Sequence, residues 1–453
     1  MDKNEVKVPK RILSALLSSL AAGVVPRSGA PYIAIGREEE TNAVLNDLDS
    51  VAEGGAGMRF IIGKYGSGKS FLLQLIRGYA TERGFVCADA DLSPERRFCG
   101  TKGTGRATFR ELIRNLSCKS SPDGSALPVI ITKWLSSLQS DAAAEGFEPG
   151  TDGFYKRVES ELFSVVKSLQ SRVGGFDLAL VLSKYHKAYI ADNEAVMAAC
   201  MRWLCAEYTT KTEARAALGV SGIIDDDSWY DYIKLYAVFF RRIGFKGLVV
   251  MIDECVNLYK ISNRISRENN YEKILSMFND TLQNKAEGIE LLLGGTPQFL
   301  EDNRRGLYSY EALRSRLYDG RFAATGYKNL IGPVIRLRRL SDSELYALIV
   351  RLTKLHAQYY GCVERITQKE MEEFIRFCLS RAGADSMITP REIIRDYVSV
   401  LNILMQNEDA AVEKLLSSGA VGLEHKGPGE EDEDGGDGPA APRRFYTAED
   451  IDV

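Results

Sequence analysis

Apolar positions in this chain follow two rhythms that alternate along its length. Short apolar-rich runs predict strands at 58–62, 84–91, 247–254, 289–296 and 332–337. Five consecutive apolar residues within 247–254 suit a central parallel strand buried on both faces. Between them, apolar residues recur at helical spacing: 10–22, from about 38 to 53, 71–77, 107–118, 178–190, 194–208 and 229–243. From 128 to about 217 the pattern is helical with no strong strand, and 341–407 is helical again. The 229–243 stretch carries many aromatics on its apolar face, a spacing that predicts core packing rather than a cofactor box. Strands alternating with helices predict an α/β fold with a parallel sheet.

Local signals sharpen the boundaries. Gly54-Gly55-Ala56-Gly57 predicts a flexible turn into the first core strand. Ser341-Asp342-Ser343-Glu344 has the form of a capping box, and Thr389-Pro390 that of an N-cap followed by proline at the first helical position. Four segments follow: a helical approach at 1–57, a core at 58–340 with a helical insertion at about 128–217, a helical lid at 341–407, and a helix end with an acidic tail at 408–453. The Gly/Pro/acid stretch 426–442 cannot bury enough apolar surface to order itself. Arg443-Arg444-Phe445-Tyr446 after it reads as a docking peptide or a frayed end.

Composition narrows the class. With 45% apolar and 26% charged residues, the chain has the profile of a soluble globular protein. Neither a membrane-length apolar run nor a signal-peptide pattern is visible, so a cytoplasmic location is expected. Eight scattered cysteines without a C-x-x-C pair predict reduced thiols rather than disulfides or a zinc site. Three histidines far apart in sequence argue against a histidine-based metal centre. The net charge is −4, and the segment 429–442 alone holds six acids and no base, so the remainder is close to neutral. There is no global basic footprint for nucleic acid.

Against that background one motif stands out. Gly63-Lys64-Tyr65-Gly66-Ser67-Gly68-Lys69-Ser70 fits G-x-x-x-x-G-K-[ST], between a predicted strand and a predicted helix. Backbone amides of such a loop and of the helix start converge on an anion, and glycines let the main chain approach it. Lys69 would reach the β- and γ-phosphates of ATP, and the Ser70 hydroxyl would ligate Mg²⁺. Asp253-Glu254 close the apolar run 247–254, at the carboxyl end where open α/β sheets place their chemistry. Asp253 is the candidate metal ligand and Glu254 the residue that orients the attacking water. A solvated strand end is the plainer alternative.

Further candidates are Thr296, as a γ-phosphate sensor or a turn residue before Pro297, and Arg316 and Arg314. Either arginine could stabilise phosphoryl charge across a subunit interface or simply lie on a solvated face. Arg391, in the first turn after Pro390, could reach a γ-phosphate from a lid or pair with Glu392 or Asp396.

Taken together, these residues resemble a known family. Gly36-Arg37-Glu38-Glu39-Glu40, the loop, Asp253-Glu254, Thr296, the 313–317 arginines and Pro390-Arg391 follow the order of AAA+ ATPases, nearest their initiator (Orc/Cdc6-like) branch. More closely, the chain resembles the BrxD-type ATP-binding proteins of bacterial BREX phage-exclusion systems over about 10–407. That resemblance is carried by Ala22-Gly23-Val24-Val25-Pro26-Arg27, Pro31-Tyr32-Ile33-Ala34-Ile35-Gly36-Arg37-Glu38, Ala88-Asp89-Ala90-Asp91-Leu92-Ser93-Pro94-Glu95-Arg96 and Ile388-Thr389-Pro390-Arg391-Glu392. It implies a cytoplasmic AAA+ P-loop ATPase with a helical lid, using ATP and Mg²⁺. It also implies that Gly36 and Arg37 help form an adenine pocket and that Arg391 is a lid sensor. A helicase-like protein, a methyltransferase and further ATPases would be its partners.

One departure concerns DNA. Initiator ATPases carry a winged helix after the lid, and here the ordered pattern stops near Asn407. Contact with DNA would then fall to the insertion or to the clusters Arg304-Arg305 and Arg336/Arg338/Arg339. An arginine acting in trans requires a homo-oligomeric ring or spiral, while a monomer is equally compatible with the sequence. The reading is an ATPase whose cycle drives conformational change. The alternatives are a slow-turnover nucleotide switch that recruits partners and, more remotely, a small-molecule kinase.

Overall fold

The computed structural model describes residues 7–170, 172–318, 329–380 and 389–417. The acidic tail, the 443–446 end, His425 and Ile388 lie outside the described residues. In chain order the elements are α1 (Lys10–Ala21), α2 (Glu38–Ala52), β1 (Ala56–Ile62), α3 (Lys69–Glu82), β2 (Val86–Asp91) and α4 (Thr104–Arg114). Five helices of the insertion follow: α5 (Ala126–Ala144), α6 (Asp152–Gln170), α7 (Gly175–Ile190), α8 (Glu194–Leu204) and α9 (Lys211–Leu218). Then come α10 (Trp229–Arg242), β3 (Leu248–Asp253), α11 (Val256–Tyr259), α12 (Arg264–Leu282), β4 (Ile289–Gly295), α13 (Pro297–Glu301), α14 (Glu311–Leu317) and β5 (Val334–Arg336). The last four are α15 (Asp342–Tyr360), α16 (Gln368–Ser380), α17 (Pro390–Gln406) and α18 (Val412–Ser417).

The fold is α/β. Five parallel strands form one sheet in the order β2-β3-β4-β1-β5. Every residue of β3 and β4 is buried, which is why their sequences lack polar alternation. The register pairs Ile62 with both Gly295 and Arg336, and Asp91 with Asp253. The carboxyl ends of the strands therefore line up along one sheet edge.

Some boundaries move for local reasons. β3 stops at Asp253 because Glu254 has a positive φ of 55° and leaves the extended region. The helix expected over 107–118 ends at Arg114, and Ser117 instead exchanges two backbone hydrogen bonds with Cys87 of β2. The helix expected to reach 208 ends at Leu204, and Ala206 at φ 56° turns the chain so that Tyr208 enters the core.

The chain divides into two compact units. One comprises residues 39–62 and 76–336, with the sheet, the insertion and the helices between the strands. Its core runs unbroken from the sheet through α10 into α5–α9. The aromatics of α10 are packing residues, as their spacing predicts. Trp134 meets Phe239, and Trp203 meets Tyr232, edge-on at 5.3 and 5.6 Å. Buried polar tips find carbonyls: Trp203 Nε1 donates to Gly222 O (3.0 Å), Trp229 Nε1 to Phe98 O (3.0 Å) and Tyr236 OH to Leu204 O (2.7 Å).

The second unit comprises residues up to 38, 63–75 and those from 337 onward. Leu13, Leu16 and Leu20 of α1 share a core with Leu345, Leu348 and Leu352 of α15 and Tyr397 and Leu401 of α17. The N-terminal helix thus completes the apolar centre of the C-terminal helices. Ser341 makes the full reciprocal capping box that the sequence predicts, and Thr389 is the expected N-cap and forms a reciprocal box with Glu392 as well.

One buried group in the first unit is energetically unfavourable. Glu290, in β4, is fully buried (0% exposed), and neither carboxylate oxygen has a hydrogen-bond partner among the described residues. Its neighbour across the ladder is Gly57, where a Cβ would run into the Glu290 carboxylate. Burial first, and Asp47 second, push this carboxyl well above its ordinary range against the opposing influence of Arg59. Folding therefore takes up a proton at Glu290 that the unfolded chain releases above pH ~4.3. Stability from this site is fullest below that pH and falls as pH rises. Glu290→Leu is expected to raise stability at pH 7.5 by about 1–3 kcal/mol, with the gain narrowing below pH ~4.3, as read from urea unfolding across pH.

Candidate functional site

The phosphate-type loop begins where β1 ends, at Gly63. Gly66 and Gly68 have φ of 75° and 88°, a region other residues adopt only under strain. A Cβ on Gly66 would lie 2.8 Å from Cγ2 of Thr389, so the start of α17 is packed directly on the loop. Thr389 is fixed there by its capping box: its hydroxyl accepts from Glu392 N (3.3 Å), and its own N–H donates to the Glu392 carboxylate (2.8 Å). The helix start that carries Arg391 is therefore brought to the loop. Arg391 is exposed; Glu392 is engaged in the cap, and Asp396 accepts from Arg395 at 3.2 Å. Lys69 Nζ lies over the loop, donating to Gly63 O (2.9 Å) and Lys64 O (3.2 Å). Ser70 is half-buried in the first turn of α3, Lys64 and Tyr65 are exposed, and Ser67 is buried.

Gly36 and Arg37 sit against this loop from below. Arg37 is 3% exposed, and its Nη2 donates to Ser67 O and to Arg338 O, each at 2.7 Å. Nη1 donates to Gly36 O at 3.1 Å. Gly36 has φ 68° and faces the Glu344 carboxylate, which a side chain there would hit. Glu344 is held by Arg338 at 2.6 Å through both oxygens and accepts from Ser341 N at 2.7 Å. Burial alone would raise its pKa, but the Arg338 guanidinium and the Ser341 donors outweigh that and hold it down at about 2.

The sheet edge of the other unit carries the acids. Asp253 is only 7% exposed, and its Oδ1 accepts from Glu254 N at 2.8 Å. Gly294 on β4 leaves space for that carboxylate, since a Cβ there would meet it. Glu254 is exposed and held in the left-handed region at φ 55°. A non-glycine residue kept there costs about 1–3 kcal/mol, a strain that clusters at functional positions. Thr296 follows β4 at the same edge and caps α13 by accepting from Phe299 N at 3.3 Å. Asp91, the last residue of β2, pairs in register with Asp253 and was not singled out by sequence reasoning. Its carboxyl is pushed up to about 6, by burial first and then by Asp253 and Glu254. The Asp89-x-Asp91 pattern was visible, but only the parallel register shows that Asp91 ends beside Asp253.

Arg314 and Arg316 lie exposed on α14, whose Leu313 and Leu317 face the core, and Arg316 donates to Ala312 O of its own helix at 2.7 Å. Three arginines of the basic clusters are engaged within the protein. Arg305 donates to Tyr259 O at 3.1 Å, Arg336 pairs with Glu301, and Arg338 pairs with Glu344. Among the described residues, no group of three or more His, Cys, Asp or Glu side chains is arranged to hold a metal by itself. No described helix is long and apolar enough to cross a membrane.

The loop is suited to an anionic polyphosphate: glycines at left-handed positions, a lysine over the main chain and a helix start following it. The Ser70 hydroxyl and the Asp253 carboxylate are hard oxygen donors of the kind Mg²⁺ takes. The family model for the BREX system ATP-binding protein BrxC/D matches residues 8–420, and the chain belongs to that family. A search of curated proteins finds no match. Membership brings ATP binding, a role in the BREX defence system and other BREX proteins as partners.

The strain at Glu254 generates a prediction. Glu254→Gly is expected to unfold about 1 kcal/mol less readily than wild type in denaturant titration, because glycine accepts φ 55° without cost.

Proposed function

We propose that this BREX-family protein hydrolyses ATP with Mg²⁺ and converts the nucleotide cycle into rearrangement of its C-terminal helices. The observation that carries the reading is the alignment of strand ends in the sheet. Ladder register through β4 brings the end of β1 at Ile62, after which the loop motif follows in sequence, and the end of β3 at Asp253 to one sheet edge, and Glu254 is held in a strained conformation after β3. Bound Mg²⁺ would neutralise charge developing on the phosphates. Gly63–Gly68 present main-chain amides, Lys69 pairs with the β- and γ-phosphates, and Ser70 and Asp253 ligate the metal. Glu254 orients the attacking water, with Thr296 as a sensor at the same edge. Arg391 acts from the start of α17 as the lid sensor, and Arg316, with Arg314 second, acts in trans from a neighbouring copy.

The strand order, with β4 lying between the loop strand and the acid strand, supports placement among AAA+ ATPases, and the Orc/Cdc6-like branch rests on the sequence resemblance alone. We place the protein in the cytoplasm, with a helicase-like protein, a methyltransferase and further ATPases as partners. DNA is a weaker proposal, since Arg305, Arg336 and Arg338 of the basic clusters already have partners inside the fold. The second reading, a slow-turnover switch, is favoured by the packing of Gly66 on Thr389, which ties loop to lid whatever the turnover rate.

One assay separates the readings. Lys69→Ala is expected to lose ATP binding. Glu254→Gln is expected to bind ATP normally while steady-state phosphate release falls by about 10²-fold or more. Fast turnover, stimulated by partners or DNA, supports the cycling ATPase. Tight binding with negligible release in wild type supports the switch. An unaltered Lys69→Ala protein would refute both.

A further inference from the structure

We infer that Arg37 is a positioning residue. It orients the Ser67–Gly68 peptide of the phosphate loop and ties the loop to the start of α15, and it does not read the adenine base. The inference rests on the nucleotide reading above and deepens it. Its basis is the peptide plane. In a trans peptide the carbonyl of one residue and the N–H of the next point in opposite directions, and no cis bond occurs among the described residues. Arg37 Nη2 holds Ser67 O at 2.7 Å, which turns the Gly68 N–H away from the guanidinium, toward the opposite face of the loop. That is the face an anion needs if amides are to cradle it. A Cβ placed on Gly68 would come within 3.7 Å of the same nitrogen, so the guanidinium lies directly beneath this peptide.

The same Nη2 also donates to Arg338 O at 2.7 Å. Arg338 in turn grips Glu344, whose carboxylate caps α15 at Ser341 N. A continuous polar chain therefore runs from the loop carbonyl to the first turn of α15, all within one compact unit. With Arg37 buried and its donors directed at three main-chain carbonyls, its effect on a ligand passes through the loop. Lysine cannot reproduce it, because all its donors sit on one nitrogen, whereas the guanidinium reaches Gly36 O from Nη1 and Ser67 O and Arg338 O from Nη2.

The test compares ATP with inorganic tripolyphosphate, each with Mg²⁺, by calorimetry on wild type and Arg37→Lys well below their melting temperatures. Positioning predicts that both affinities fall by the same factor, about tenfold or more. A fall for ATP with tripolyphosphate unchanged would mean that Arg37 reads the nucleoside and would overturn the inference. Unchanged affinity for both would overturn it as well. If Arg37→Lys does not fold, hydrogen exchange on wild type decides. Tripolyphosphate alone should slow exchange at 63–70 and also at 341–345, and protection confined to the loop would overturn the link to α15. Wild type that takes up neither ligand would overturn the nucleotide reading, and this inference with it.

Discussion

The constraint beneath everything else is that an all-parallel sheet must be covered on both faces. β3 and β4 meet it with side chains buried at every position, and the chain supplies the cover from helices both before and after them in sequence. Parallel pairing then forces all five carboxyl ends to one edge. Once Val86 pairs with Leu248, Asp91 must end at Asp253, and once Ala56 pairs with Ile289, Ile62 must end at Gly295. The placement of these strand ends follows from ladder register rather than from any local preference of the acids themselves.

Within each unit, close main-chain approach replaces side-chain packing at particular glycines. Gly66 admits Thr389, and Gly294 admits the Asp253 carboxylate. Where the chain does place a side chain against the loop, it uses Arg37, a group with enough donors to satisfy carbonyls that burial would otherwise leave unpaired. Glu254 is the counter-example, a residue kept in a conformation its side chain disfavours. Strain of this kind is expected where function competes with stability.

Much of this was legible in the sequence because it is written in short-range chemistry. The five strand segments, the helical stretch at 128–217, the capping box at Ser341, the N-cap at Thr389 and the loop motif itself depend on neighbours within a turn or two. What escaped depends on long-range pairing. Asp91 joins the acids only through the register of β2 on β3. Arg37 reads as a ligand-binding residue in sequence, while its hydrogen bonds run to carbonyls 30 and 301 positions away. Glu290 looked like one more residue of a buried strand, and its unpaired carboxylate shows only once Gly57 is set opposite it. Helix ends slipped where a single positive φ, as at Ala206, overrode apolar periodicity.

The unbroken core beneath the insertion has a further consequence. Trp203 of α8 packs on Tyr232 of α10, Trp134 of α5 packs on Phe239, and α10 leads straight into the strand that ends at Asp253. The insertion is therefore no detachable cassette. Excising it would strip the aromatic face of α10 and open the core that β3 shares with those outer helices.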